Sequence, residues 1–274
     1  MVADAYKGQY IRMWNQKSKR QVGECAMIGK MELKLSCEGE IVYQMVSLFH
    51  GVLMEQLPED YANQLHISQL HPYVQHLEYR DGEWYWIVCA LNKKAVQIIL
   101  RDTLANLEQI KITKRDLEVH IVAKKYSEIS YKELMDQFYN EDCSSYISVH
   151  FLAPTAFRSH GKYIFYPDIR CIFQSLMNKY DAAVEQETMV DKDTLEQLCE
   201  NAEIIRYDLK SVSFSMEGVK IPSFIGKITI KMRGSQTMTN FANMLFRFGE
   251  YSGVGIKTSL GMGSIKILQE RRRT

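Results

Sequence analysis

The sequence holds little that would place it in a membrane or on a metal. No apolar run approaches the ~18–20 residues of a membrane span. The first residues are polar and lack the apolar core of a signal peptide. These absences predict a cytoplasmic protein with no membrane partner. Six cysteines stand at positions 25, 37, 89, 143, 171 and 199, with no CxxC pair and no zinc-like spacing to histidine. They read as free, mostly buried thiols, and neither a metal nor another cofactor is expected. The net charge is only +1, so the chain as a whole argues nothing about a polyanionic partner.

What is present is a globular composition, 46% hydrophobic and 24% charged over 274 residues. That length suits one large domain or two of about 100–150 residues. The charge is unevenly spread. From Val219 to Thr274 ten Lys or Arg face only Glu250 and Glu270, a net of +8, whereas the first 218 residues carry 24 basic and 31 acidic side chains. A C-terminal quarter this basic is the footprint expected of a phosphate-binding surface, although basic strands that merely face solvent would look the same.

Periodicity organises the chain into two similar units. Residues 1–29 are polar and basic and are read as an N-terminal extension, either a disordered arm or translation from an upstream start. Alternation predicts a strand from Met31. Val42, Met45, Val46, Phe49, Val52 and Leu53 recur at helical spacing, and Pro58 is placed to open a second helix at its first position. Glu83–Leu91 reads as a strand, Ala95–Leu107 as a helix, Leu117–Ala123 as a strand and Lys132–Tyr139 as a short helix. That order, β-α-β-α-β, fits a ferredoxin-like module over 30–143. A second module over 144–274 runs from a strand at Ser145–Leu152 through a helix at Ile169–Tyr180 and an acidic excursion with a helix at Thr194–Asn201. Strands at Ile204–Met216 and Val219–Met232 follow, joined at Glu217-Gly218, a tight hairpin signal. A helix at Met238–Gly249 and a strand at Ser264–Leu268 complete it. The expected class is α+β, with tandem ferredoxin-like domains.

The segment Gly253–Gly263 carries four glycines in eleven residues. Glycine admits positive φ and close approach, and successive N–H groups in such a loop can form an anion-binding nest. Lys257 and the hydroxyls of Thr258 and Ser259 suit phosphate oxygens. Neither familiar nucleotide motif fits. Thr258 stands where GxGxxG needs its third glycine, and Ile256 separates Gly255 from Lys257 where a P-loop needs Gly-Lys. On its own the segment is equally a tight turn between helix and edge strand.

Helix, then Gly-x-Gly-x-x-x-x-x-Gly-x-Gly, then a closing strand resembles the C-terminal signature of the repeat-associated RNA-binding (RAMP) superfamily. Phe248–Gly263 is similar to the CRISPR repeat-processing endoribonucleases within it, as are Phe49–Leu57, Ala153–Arg158 and Ile172–Met177, most of all members serving type III-A (Csm) systems. The resemblance covers about Met31 to Leu268. It implies two ferredoxin-like domains that bind the repeat of precursor CRISPR RNA (pre-crRNA) and cut it once without metal, the ribose 2′-hydroxyl attacking the phosphate. A transient contact with a type III-A effector complex and a homodimer are among the partners such a protein can have.

That reaction needs a base for the 2′-hydroxyl, an acid for the leaving 5′-oxygen and positive charge for the phosphorane. Histidine suits the first two, and Lys or Arg the third. Of the seven histidines, His66 matches the family's catalytic position in or after the first helical region, and His50 lies on the preceding helix. Some members use two histidines, so His50 and His66 are the expected catalytic pair, with acid and base unassigned. His71 and His76 are rivals, while His120, His150 and His160 are expected to be structural. A lysine that some members carry shortly after the histidine is missing from Ile67–Tyr73, which leaves Lys162, Lys257 or the Tyr73 hydroxyl to meet the phosphorane. The expected RNA-binding set is Arg158, Lys162, Lys227, Lys231, Gly253, Gly255, Lys257, Ser259, Gly261 and Gly263. The alternative is a non-catalytic RAMP subunit that coats CRISPR RNA, and a blander one is a general RNA-binding domain.

Overall fold

A computed structural model describes residues 27–68, 70–140, 142–184, 191–216 and 218–268. Most of the expected N-terminal extension, Cys25, the hairpin residue Glu217, Glu270 and Arg271–Arg273 lie outside these residues.

The first half is a five-stranded antiparallel sheet in the order β2-β3-β1-β5-β4. Its strands are β1 (Met27–Ser36), β2 (Tyr73–Arg80), β3 (Glu83–Ala90), β4 (Gln109–Ile112) and β5 (Leu117–Ser130). Without β4 this is the ferredoxin-like order. Two helices, α1 (Val46–Gln56) and α2 (Glu59–Ile67), connect β1 to β2. Helix α3 begins at Lys93–Ala95 and continues as a π-helix over Val96–Leu104. Its side chains press on β1 so closely that a Cβ on Gly29 would stand 2.6 Å from Leu100 Cδ1.

Several expectations need correction here. β1 begins at Met27, so residues 27–29 belong to the sheet and not to an extension. Pro58 is the N-cap of α2, not its first residue. Strands β2 and β4 were not expected, which makes the first half richer than β-α-β-α-β. Among the described cysteines only Cys89 is buried. Cys37, Cys143, Cys171 and Cys199 are half-buried, and all five are free.

The second half contains β6 (Tyr146–Thr155), the small hairpin β7 (Phe157–Ser159) and β8 (Lys162–Ile164), α5 (Ile169–Ala183) and α6 (Lys192–Asn201). Next come β9 (Ala202–Met216), β10 (Val219–Met232), α7 (Gln236–Ser252) and β11 (Ile265–Leu268). The four-stranded sheet runs β11-β6-β10-β9, again the ferredoxin-like order. Asp168 and Ser235 cap α5 and α7 by accepting from the N–H three residues on.

The halves are not separate bodies of core. Helix α4 (Tyr131–Asn140) was expected in the first module, yet Tyr131, Leu134, Met135 and Phe138 join the apolar core of the second. In return, Phe214 and Ile221 of the β9–β10 hairpin, with Ala156 and Met262, join the core of the first. The glycine-rich tail therefore lies between the halves and is gripped by both.

Candidate active site

The cleft between the halves is a cavity of about 400 Å³, within the range of small-ligand sites. His50, Leu70, His71 and Val74 line it from the first half, Lys179 and Gly255–Leu260 from the second.

His50 is placed by its helix. Val46, Phe49, Val52 and Leu53 bury one stripe of α1, and His50 sits at its edge, half-buried. The buried side chain of Gln75 fixes the height of that helix on the sheet. Its Nε2 donates to the Val46 carbonyl at 3.2 Å, and its Oε1 accepts from Trp86 Nε1 at 2.5 Å. Tyr73, two residues earlier on the same face of β2, then reaches His50. Its Oη lies 2.8 Å from His50 Nδ1. Burial drives the imidazole pKa down to about 4, aided by the nearby His71 and His66 and opposed by a hydrogen bond with the Ser259 backbone. Burial likewise raises the Tyr73 phenol well above its ordinary value. At neutral pH His50 is thus a neutral imidazole facing a protonated phenol.

His71 stacks near His50, with ring centroids 6.4 Å apart, and its buried Nδ1 has no hydrogen-bond partner. Burial lowers its pKa too, with His66 as the second cause. His66 itself is exposed in the last turn of α2. His76 is 7% exposed on the opposite face of β2. Burial, with Lys30 and Arg80 adding to it, takes its pKa to about 3. It does not line the cleft.

The tail crosses from α7 to β11 through a single 3₁₀ turn at Thr258–Leu260. Its glycines answer crowding by protein. A Cβ on Gly261 would stand 2.3 Å from Val46 Cγ2, one on Gly255 2.3 Å from the Ala156 carbonyl oxygen, and one on Gly263 2.0 Å from that of Val254. Gly253, Ser259, Gly261 and Gly263 are buried. Lys257 holds φ +54°, a left-handed conformation uncommon for a residue with a Cβ.

Of the expected site residues, the fold brings His50, Gly255, Lys257 and Ser259 into one cleft. Arg158 and Lys162 are exposed on the β7–β8 hairpin, directly after Ala156, which touches the tail. Ile228 and Ile230 of β10 enter the core, so Lys227 and Lys231 point to the other, open face of their sheet. Sequence reasoning missed Lys179. Its signal was a lysine between Leu176 and Ala183, at the spacing of the buried stripe of α5. Among the described residues no three His, Cys, Asp or Glu cluster as a metal site would require, and no helix is long and apolar enough to cross a membrane.

Two ferredoxin-like halves closed on one histidine-bearing cleft, with a glycine-rich tail as its far wall, define a class: the RAMP-like proteins of mixed α+β fold. A family model described as CRISPR-associated endoribonuclease Cas6 matches residues 149–265. The chain is 39% identical over 225 residues to a CRISPR-associated endoribonuclease Cas6 of Streptococcus thermophilus, covering 82% of this chain and 91% of that one. It is 32% identical over 221 residues to the Mycobacterium tuberculosis enzyme, covering 80% and 70%. Among solved structures, Thermus thermophilus Cas6 shares the fold with a TM-score of 0.71 at 21% identity, over 90% of this chain and 100% of that one. A Cas6 product complex does so with a TM-score of 0.73 at 22% identity, over 89% and 100%. The chain belongs to the CRISPR-associated endoribonuclease Cas6 family.

Proposed function

We propose that this endoribonuclease cuts the repeat of precursor CRISPR RNA by metal-independent attack of a 2′-hydroxyl, with His50 as base and His66 as acid. The observation that carries this reading is the neutral imidazole of His50, held by Tyr73 and facing the tail across the cleft. A base must be unprotonated at working pH, and burial keeps His50 so. His50 takes the 2′-hydroxyl proton, the 2′-oxygen bonds to phosphorus, and the bond to the 5′-oxygen breaks. His66, exposed in the last turn of α2, gives the leaving oxygen its proton. The products are a cyclic phosphate and a 5′-hydroxyl. Lys257 faces the charge that develops on the phosphorane, and Arg158, Lys162, Lys227 and Lys231 bind phosphates further along the RNA, with Gly255 and Ser259 lining the cleft.

The test is single-turnover cleavage of the repeat from the neighbouring genomic array. His50→Ala and His66→Ala should each slow the cut while the RNA remains bound. A non-catalytic coat subunit would bind the repeat and leave it whole. Affinity should fall steeply with salt as phosphate contacts release counterions. Service to a type III-A (Csm) effector complex, a cytoplasmic location and a homodimer are finer readings, of which the first rests on the motif resemblance in Phe49–Leu57 and Phe248–Gly263. Pull-down of effector subunits by the tagged protein tests it.

A further inference from the structure

Helix α5 carries a lysine where its apolar stripe should continue. Ile172, Leu176 and Ala183 are buried, and Lys179, at the same spacing, is only 7% exposed. Its Nζ donates to the Ser252 carbonyl at 3.0 Å, to the Gly253 carbonyl at 3.2 Å and to Thr258 Oγ1 at 3.2 Å. The first closes α7, the other two belong to the tail, and none is a carboxylate. One turn earlier on the same face, Ser175 Oγ accepts from the Gly255 N–H at 2.8 Å. Two side chains of one helix thus hold the tail from Ser252 to Thr258.

An ammonium buried against carbonyls and a hydroxyl alone is expensive, and burial pulls its pKa down to about 7. A neutral donor would tie the same loop at less cost. The location supplies the reason for a charge, since Lys179 lines the cleft together with His50, His71 and Lys257. The tail it holds also reaches the base. The Ser259 backbone bonds His50, and Gly261 packs on Val46, one turn before His50.

We propose that Lys179 is a positioning residue for RNA cleavage, its side chain fixing the Ser252–Thr258 segment so that Lys257 and Ser259 face His50, while its ammonium, which a bound phosphate favours over the neutral amine, places positive charge beneath the reacting group. The inference rests on the reading of His50 as the base. Charge builds on the phosphate as the phosphorane forms, so a preorganised cation helps the transition state more than the bound substrate.

The experiment measures the single-turnover cleavage rate and the Kd for repeat RNA separately. Lys179→Met removes the charge at similar volume. It should bind RNA within about threefold of the parent and cleave it at least about tenfold more slowly. Lys179→Gln, a donor without charge, should be slow as well. Thr258→Val, which keeps the ammonium and deletes one partner, should lose less rate than either. A parental rate in Lys179→Met or Lys179→Gln overturns the proposal, as does a loss confined to affinity. Should both lysine variants fail to fold, a parental rate in Thr258→Val overturns the positioning role. His50→Ala, run alongside, reports on the base alone, so failure of that reading is told apart from failure of this one.

Discussion

Tyr73 Oη stands 2.8 Å from His50 Nδ1, a bond between the first residue of β2 and a helix packed against it. One partner is held by the sheet and the other by the core stripe of α1, so the imidazole plane is set before any RNA arrives. Tyr73→Phe keeps the packing and removes only this hydroxyl. One neutral hydrogen bond contributes about 0.5–1.5 kcal/mol, so the cleavage rate should fall by up to roughly tenfold with the Kd for RNA unchanged. Single-turnover kinetics beside a binding curve check it, and a parental rate would show that Tyr73 does not orient His50.

The pH dependence follows from the same burial. The folded pKa of His50 is about 4, below its ordinary value near 6.5. Between these values the unfolded chain binds the proton and the folded chain does not. Stability therefore rises with pH across this window and declines as pH falls through it. His71 and His76 shift in the same direction and add to the slope. Thermal melts from pH 4 to pH 7 should show a falling Tm toward acid, and His50→Gln should flatten part of that fall. An unchanged slope would mean that His50 is not buried as described.

Lys257 combines charge with a left-handed backbone. Lys257→Gly removes both the charge and the conformational penalty, which is about 1–2 kcal/mol. RNA affinity should drop while the urea midpoint stays level or rises. A variant that loses stability and keeps affinity would place Lys257 in the scaffold and not at the phosphate.

Gly261 and Val46 couple the tail to α1. Gly261→Ala meets Val46 at φ +103°, so left-handed strain of about 1–2 kcal/mol joins overpacking of about 1–3 kcal/mol. Val46→Ala makes room and should recover part of the loss, with a coupling of more than about 1 kcal/mol in urea denaturation. Strict additivity would show that the two residues do not touch.

Much of this fold was readable from periodicity, and the reasons for the misses are physical. Helix α5 alternates cleanly between core and surface, as does β10 from Lys227 to Met232. Strand β2 does not, because its first five residues are buried and include Gln75 and His76. Polar groups on both faces of a buried strand erase the period-two signal. Helix α4 follows β5 in sequence, yet its apolar stripe faces α7, and a stripe does not name its partner. The glycine spacing located the tail but not its use. Gly255, Gly261 and Gly263 are small because Ala156, Val46 and Val254 press on them, and an open anion nest would have shown the same sequence. Lys179 was legible only as a charge at a core position.

The central claim is that the substrate's own 2′-hydroxyl is the nucleophile and that His50 takes its proton. The most direct measurement is cleavage of cognate repeat RNA in EDTA, with and without a single 2′-deoxy substitution at the nucleotide before the scissile phosphate. The all-ribose RNA should be cut to a cyclic phosphate and a 5′-hydroxyl. The deoxy RNA should bind with similar Kd and stay intact. Cutting of the deoxy RNA at that bond would contradict the mechanism.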